Sequence, residues 1–339
     1  MQARYLSIVL FLLLPLSMGQ NSSVQPSGAI GLPPPTYQTD FAAVVADGQH
    51  AVSWDKGYLL SFGLGATKQP IALYDRTDKW LFESPLAFEG AIRTYVHDAA
   101  PTSGGKAVVA AGAVTSDGAT ADLVVEMGKE GASRVIRTSP FYPIKICSTE
   151  EGVAWVYGKE LSEDRKLEPR ERYPMLREYR FDKGQLRSEV DRLTIRPAKG
   201  IPLDGANRDD LQMKCNSSKV VLINYPNNEL IEYDLLTSKV SRWPMSALPE
   251  GFRMNGSALT DSGEVYVSAL RGGNGALTGM FRLRVNTSGV AEWVPLTVSP
   301  AGDKFFVLVG SDGENLVYSR GLLSPTLFWS KPPRIEVMK

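Results

Sequence analysis

Two stretches of this chain, fifty residues apart, read as copies of one another: "LIEYDLLTSKVSRWPM" at 230 to 245 and "MFRLRVNTSGVAEWVPL" at 280 to 296. In the first, Ile231, Tyr233 and Leu235 alternate with Leu230, Glu232 and Asp234, the period of two of a strand with unlike faces. Thr237, Ser238 and Lys239 supply a turn, and Val240 and Trp243 resume the apolar pattern. Ile231/Phe281, Leu235/Val285, Thr237/Thr287, Val240/Val290 and Trp243/Trp293 are each fifty apart, which implies one register kept through the turn. The pattern makes Tyr233 and Trp243 packing residues between sheets.

Another hairpin precedes each copy. "SALTDSGEVYVSAL" (257 to 270) has counterparts in "TYVHDAAPTSGGKAVVAAG", "IKICSTEEGVAWVYG", "LQMKCNSSKVVLINY" and "FFVLVGSDGENLVYSRG", with a weaker one in "FAAVVADGQHAVSW" (41 to 54). Second hairpins follow in "IALYDRTDKWLFES", "LVVEMGKEGASRVIR" and "LREYRFDKGQLRSEV", and the last unit ends in "TLFWSK" and "RIEVMK". Four short strands roughly every 45 to 65 residues, with no long amphipathic helical stretch, are the mark of an all-β β-propeller. A four-stranded sheet cannot bury both faces alone, and stacking around an axis supplies the core. Six four-stranded blades are expected, with seven as the alternative. The repeats resemble those of exported six- to seven-bladed propellers of the NHL and YVTN types, a resemblance that covers nearly all of the mature chain and implies a fold shared by unrelated functions.

Residues 1–19, "MQARYLSIVLFLLLPLSMG", join Arg4, an apolar run from Tyr5 to Leu16, and Ser17 and Gly19 at an S-x-G cleavage site. This is a secretory signal, too short to span a bilayer well, and no later stretch would span one. A secreted or periplasmic protein is expected, with a Pro/Ser/Gly-rich leader over 20–40 and the propeller over 41–339. Lys plus Arg and Asp plus Glu both number 37, which lacks the basic excess that nucleic-acid binding requires. Cys147 and Cys215 fall at similar places in successive units, and export permits a disulfide between them, with two buried thiols as the alternative.

The familiar catalytic motifs are missing, and only two histidines, His50 and His97, are present. His97 and Asp98 are neighbours along a strand and point to opposite faces, which argues against a general-base pair and for a turn-forming aspartate. Asp47, Asp98, Asp261 and Asp312 recur near the ends of first strands, where turn chemistry explains them better than a Ca²⁺ site. The third unit is stretched by "KELSEDRKLEPRERYPM" (159 to 175), whose Lys159, Arg165, Arg170, Arg172 and Tyr173 form an insert loop on the usual ligand face. Sequons stand at Asn21, Asn216, Asn255 and Asn286. The expectation is a monomeric exported binding protein for a protein or cell-surface ligand, with no catalytic residue, cofactor or resident metal assigned. The alternative is a propeller hydrolase, lactonase or lyase with an axial site that takes a divalent cation such as Ca²⁺. In that case several of Glu89, Arg93, Lys145, Gln212, Asn255 and Lys304, at the entry to the inner strands, would converge on the axis.

Overall fold

The computed structural model describes residues 35–41, 50–65, 70–161, 174–182, 185–194, 211–272, 277–300, 306–320 and 326–332. Most of them are in strands, and no helix among them is long and apolar enough to cross a membrane. The signal, most of the leader and "RIEVMK" lie outside the described residues.

β1 is Tyr37–Asp40, and β2 to β5 are His50–Asp55, Tyr58–Gly63, Ile71–Asp75 and Trp80–Ser84. β6 to β9 are Ala91–Pro101, Ala107–Thr115, Thr120–Gly128 and Gly131–Arg137, and β10 to β13 are Phe141–Ser148, Val153–Glu160, Met175–Asp182 and Gln185–Thr194. β14 to β17 are Leu211–Cys215, Lys219–Asn224, Glu229–Asp234 and Val240–Pro244, and β18 to β21 are Phe252–Leu259, Val265–Arg271, Leu277–Val285 and Ala291–Pro300. β22 to β24 are Phe306–Asp312, Asn315–Arg320 and Thr326–Ser330. β6–β9, β10–β13, β14–β17 and β18–β21 are separate four-stranded antiparallel sheets, while an eight-stranded sheet runs β1-β24-β23-β22-β2-β3-β4-β5. Its halves meet at one parallel pairing, Trp54 with Gly310. An apolar cluster fills the junction between each sheet and the next, and Phe41, Trp54, Leu59, Val317 and Trp329 join the last half to the first. This is an arrangement consistent with a β-propeller.

Three sequence expectations are corrected. In the first unit the inner strand is His50–Asp55, paired with Tyr58–Gly63, so "FAAVVADGQHAVSW" is not its opening hairpin. Part of that stretch, including Asp47, lies outside the described residues. Tyr37–Asp40, within the segment read as a leader, is a strand that pairs antiparallel with Thr326–Trp329 and supplies the fourth strand of the last unit. The fifty-residue register is also broken at the turn. Tyr233 pairs with Val240 and Val285 with Ala291, so the second hairpin is one residue shorter between its strands.

That single residue reverses a face, because side chains alternate along a strand. Trp243 pairs with Leu230 and Trp293 with Leu283, and the two tryptophans enter the same cluster from opposite sheets. Trp293 also donates its indole N–H to the carbonyl of Ser246 at 2.8 Å. Both hairpin aromatics singled out from the sequence pack between sheets: Trp243 against this cluster, and buried Tyr233 against Trp155 with ring centroids 5.3 Å apart.

The innermost strands carry a repeated irregularity. β6, β10, β18 and β22 each have a register shift that skips one residue, at His97, Ile144, Asn255 and Val309. An extra residue bends the strand and adds twist, which suits a strand at the hub of a curled array. Beyond the bulge stand Gly256 and Gly310, where no side chain fits. A Cβ on Gly256 would collide with the carbonyl oxygen of Leu308, and one on Gly310 with that of Trp54. Polar links tie the hub elsewhere: Ser257 Oγ donates to Gln212 Oε1 at 3.1 Å, and the Ile146 N–H donates to Asp98 Oδ2 at 2.9 Å. The sulfurs of Cys147 on β10 and Cys215 on β14 are bonded, with Cα atoms 6.0 Å apart.

Candidate functional site

The innermost strands enclose a cavity of about 670 Å³ whose wall includes residues from β2, β6, β10, β14, β18 and β22. Asp98, Lys145, Gln212 and Gly256 each stand three residues before the end of their strand, so an acid, a base, an amide and a glycine occupy one level around the hub. Two residues beyond Gln212, on the same face of β14, Lys214 also lines the cavity, as does Asp55 at the end of β2.

The two signs of charge are held differently. Asp98 accepts the Ile146 N–H, and Asp55 Oδ2 receives the Lys56 ammonium at 2.8 Å. Lys145 and Lys214 have no hydrogen-bond or ion-pair partner among the described residues, although both are half-buried on the wall of the cavity. Burial lowers the pKa of Lys214 from the ordinary 10.5; the carboxylates of Asp55 and Asp98 oppose that shift, and the ammoniums of Lys145 and Lys56 add to it. Asn255, the bulged residue of β18, accepts the Ser268 hydroxyl at 2.7 Å, and that oxygen accepts the Leu308 N–H at 2.9 Å. The amide is thereby fixed at the cavity rim.

Of the axial candidates named from sequence, Lys145, Gln212 and Asn255 line the cavity. Glu89 and Arg93 do not. Glu89 sits in an exposed turn, and Arg93, near the start of the long strand β6, donates to the Tyr95 hydroxyl at 3.1 Å. Ile92 and Arg93, near the start of β6, are exposed. Lys304, Arg165, Arg170, Arg172 and Tyr173 lie outside the described residues. Lys159 belongs to β11, paired with Tyr142, so the insert starts later than read.

Asp98 is not a turn residue: it lies mid-strand in β6 and faces the cavity, whereas Asp261 and Asp312 do stand at turns, Asp312 paired with Arg76. His97 is the bulged residue before Asp98, with its ring 4.8 Å from that of Tyr142. No group of three or more His, Cys, Asp or Glu side chains suited to a metal ion occurs among the described residues. Lys214 and Asp55 escaped the sequence reading. Alternation from Gln212 would have pointed to Lys214, whereas Asp55 required knowing which strand of the first unit is innermost.

A second, smaller pocket of about 250 Å³ lies between the third and fourth sheets in chain order, beside Trp155 and Tyr233. Buried Glu178 pairs there with Arg180 and, at 2.7 Å, with Arg192, which leaves the charges largely matched.

No known family model matches the chain, and no curated protein sequence does. Among solved structures it is similar to a protein of unknown function from Bacteroides caccae, at 14% identity over 78% of this chain and 82% of that one, with a TM-score of 0.45. It is similar to a luciferin-regenerating enzyme at 12% identity over 87% and 95%, TM-score 0.47, and to U3-55K at 11% over 86% and 100%, TM-score 0.44.

Proposed function

We propose that this is an exported, six-bladed propeller that binds a small anionic ligand in its central cavity. β2–β5, β6–β9, β10–β13, β14–β17, β18–β21 and β22–β24 with β1 are the six blades. One observation carries the reading: the cavity carboxylates are occupied by protein donors, while Lys145 and Lys214 are not matched by any acceptor among the described residues. A half-buried ammonium with no hydrogen-bonded or ion-paired carboxylate is costly, and a carboxylate or comparable anion lying between the two lysines supplies that partner. Gln212 and the amide of Asn255 add hydrogen-bonding groups that fix orientation, as polar groups do in cavities of this size.

Thermal denaturation at low ionic strength, with oxalate, pyruvate, citrate and inorganic phosphate each added in excess, tests the binding reading. At least one should raise the midpoint, since a ligand that binds only the folded state stabilises it by mass action, about 2.7 kcal/mol at a hundredfold excess over Kd. The rise should vanish in the Lys145→Ala/Lys214→Met protein. No rise with any of the four, or an equal rise in the double variant, overturns the reading. Fusion of residues 1–19 to a reporter enzyme tests export separately, with delivery across the membrane as the expected result.

A further inference from the structure

We propose that Lys214 is a nucleophile that forms an imine with the aldehyde or ketone group of a small carbonyl acid, whose carboxylate rests on Lys145. The inference builds on the proposed anion site and adds covalent chemistry to it. Lys214 and Lys145 come from adjacent inner strands, β14 and β10, and line the same cavity. The Cys147–Cys215 bond joins those two strands directly beside both lysines, two residues after Lys145 and one after Lys214, and holds one amine at a set place relative to the other. Neither lysine is tied to a carboxylate by a hydrogen bond or ion pair among the described residues, so the Lys214 amine is not masked.

The groups that act electrostatically on Lys214 are Asp55 and Asp98, from β2 and β6, Lys145 from β10, and Lys56 in the turn after β2. Burial lowers the Lys214 pKa against the pull of the two carboxylates and so enlarges the share of neutral amine, the form with a lone pair. That lone pair attacks the carbonyl carbon, forming a C–N bond. The carbonyl oxygen takes up two protons, one of them from the nitrogen, and leaves as water, and the product is a protonated imine. A C=O bond is exchanged for C=N with no net oxidation or reduction. Lys145 remains protonated and pairs with the carboxylate, which places the carbonyl next to Lys214.

Glyoxylate with cyanoborohydride at pH 7, followed by peptide mass mapping, reads the event as a stable carboxymethyl group on lysine. The peptide bearing Lys214 should label faster than the peptides bearing exposed lysines, because a lowered pKa leaves a larger share of free amine. Lys145→Ala should slow labelling by glyoxylate but not by the uncharged aldehyde butanal, and Lys145→Arg should restore it. Lys214→Arg should abolish the adduct. Labelling spread evenly over surface lysines in the wild-type protein overturns the proposal, and this readout needs no variant to fold. If any of the four anions still raises the thermal midpoint while Lys214 stays unlabelled, the covalent step falls and the anion site stands. If neither occurs, both fall.

Discussion

The central cavity has two unlike walls made from the same repeat. Where β18 and β22 approach their neighbours, the residues beyond the bulge are Gly256 and Gly310, and backbone meets backbone. Where β6, β10 and β14 stand, the corresponding level carries Asp98, Lys145 and Gln212, and their side chains face the cavity. One register position thus serves closure on one side and chemistry on the other. A repeat fold can specialise without changing its topology, since on β6, β10, β18 and β22 only the residue beyond the bulge needs to differ.

The largest expected effect comes from the closing wall. Gly310→Val would force the Trp54 carbonyl away and separate the halves of the eight-stranded sheet, a loss of about 3 kcal/mol or more. Denaturant titration should show it, and a near-normal midpoint would mean that the wall is not tightly closed. Next comes the staple on the charged wall. Its 68-residue separation predicts that Cys147→Ser with Cys215→Ser lowers stability by about 4 kcal/mol, and the unreduced protein should weigh two hydrogens less than the reduced chain. Two titratable thiols in the native protein would remove the staple from the comparison.

Lys214→Met should act in the opposite direction. A lysine whose pKa is lowered in the folded state binds its proton more weakly there than in the unfolded chain, so its cost to stability is full below the folded pKa. As pH rises from that lowered value towards 10.5 the cost fades, so the variant should exceed the parent in midpoint near neutrality and converge with it at alkaline pH. A variant no more stable at pH 7 would show that the charged wall is as well hydrated as open surface. The smallest effect belongs to the outer hairpin. Asp234 accepts hydrogen bonds from the Leu236 N–H at 3.0 Å and from the Thr237 N–H and hydroxyl at 2.7 and 2.8 Å, which lower its pKa. Asp234→Ala should slightly weaken the fold at neutral pH, less so as acid protonates the carboxyl, and leave anion binding untouched.

The hairpins were readable because alternation and turn residues are local signals. "LQMKCNSSKVVLINY" could be taken as two strands with nothing else known, and β14 and β15 are those strands. The one-residue difference that sends Trp243 and Trp293 to opposite sides of a junction was not readable, because fifty-residue spacing matches letters and not hydrogen-bonded pairs. Asp98 was misplaced for a related reason: adjacent "HD" resembles the end of a strand, and the bulge at His97 keeps β6 running to Pro101. That Lys145, Gln212 and Asn255 line the cavity is legible because entry to an inner strand can be inferred from unit order, whereas that Glu89 and Arg93 lie away from it is not, because the length of β6 cannot be inferred so.

The pairing of Tyr37–Asp40 with Thr326–Trp329 bears on the order of events during synthesis. Thr36 donates its N–H to the Trp329 carbonyl at 2.8 Å across 293 positions of sequence. A ribosome that has made the first sheets has not yet made the strand that β1 must meet, so β1 waits as a single strand with both edges open. Long-range pairing of this kind is slow, because the loop must close before any contact rewards it. The eight-stranded sheet therefore gains its β1 edge only once Thr326–Ser330 has been made.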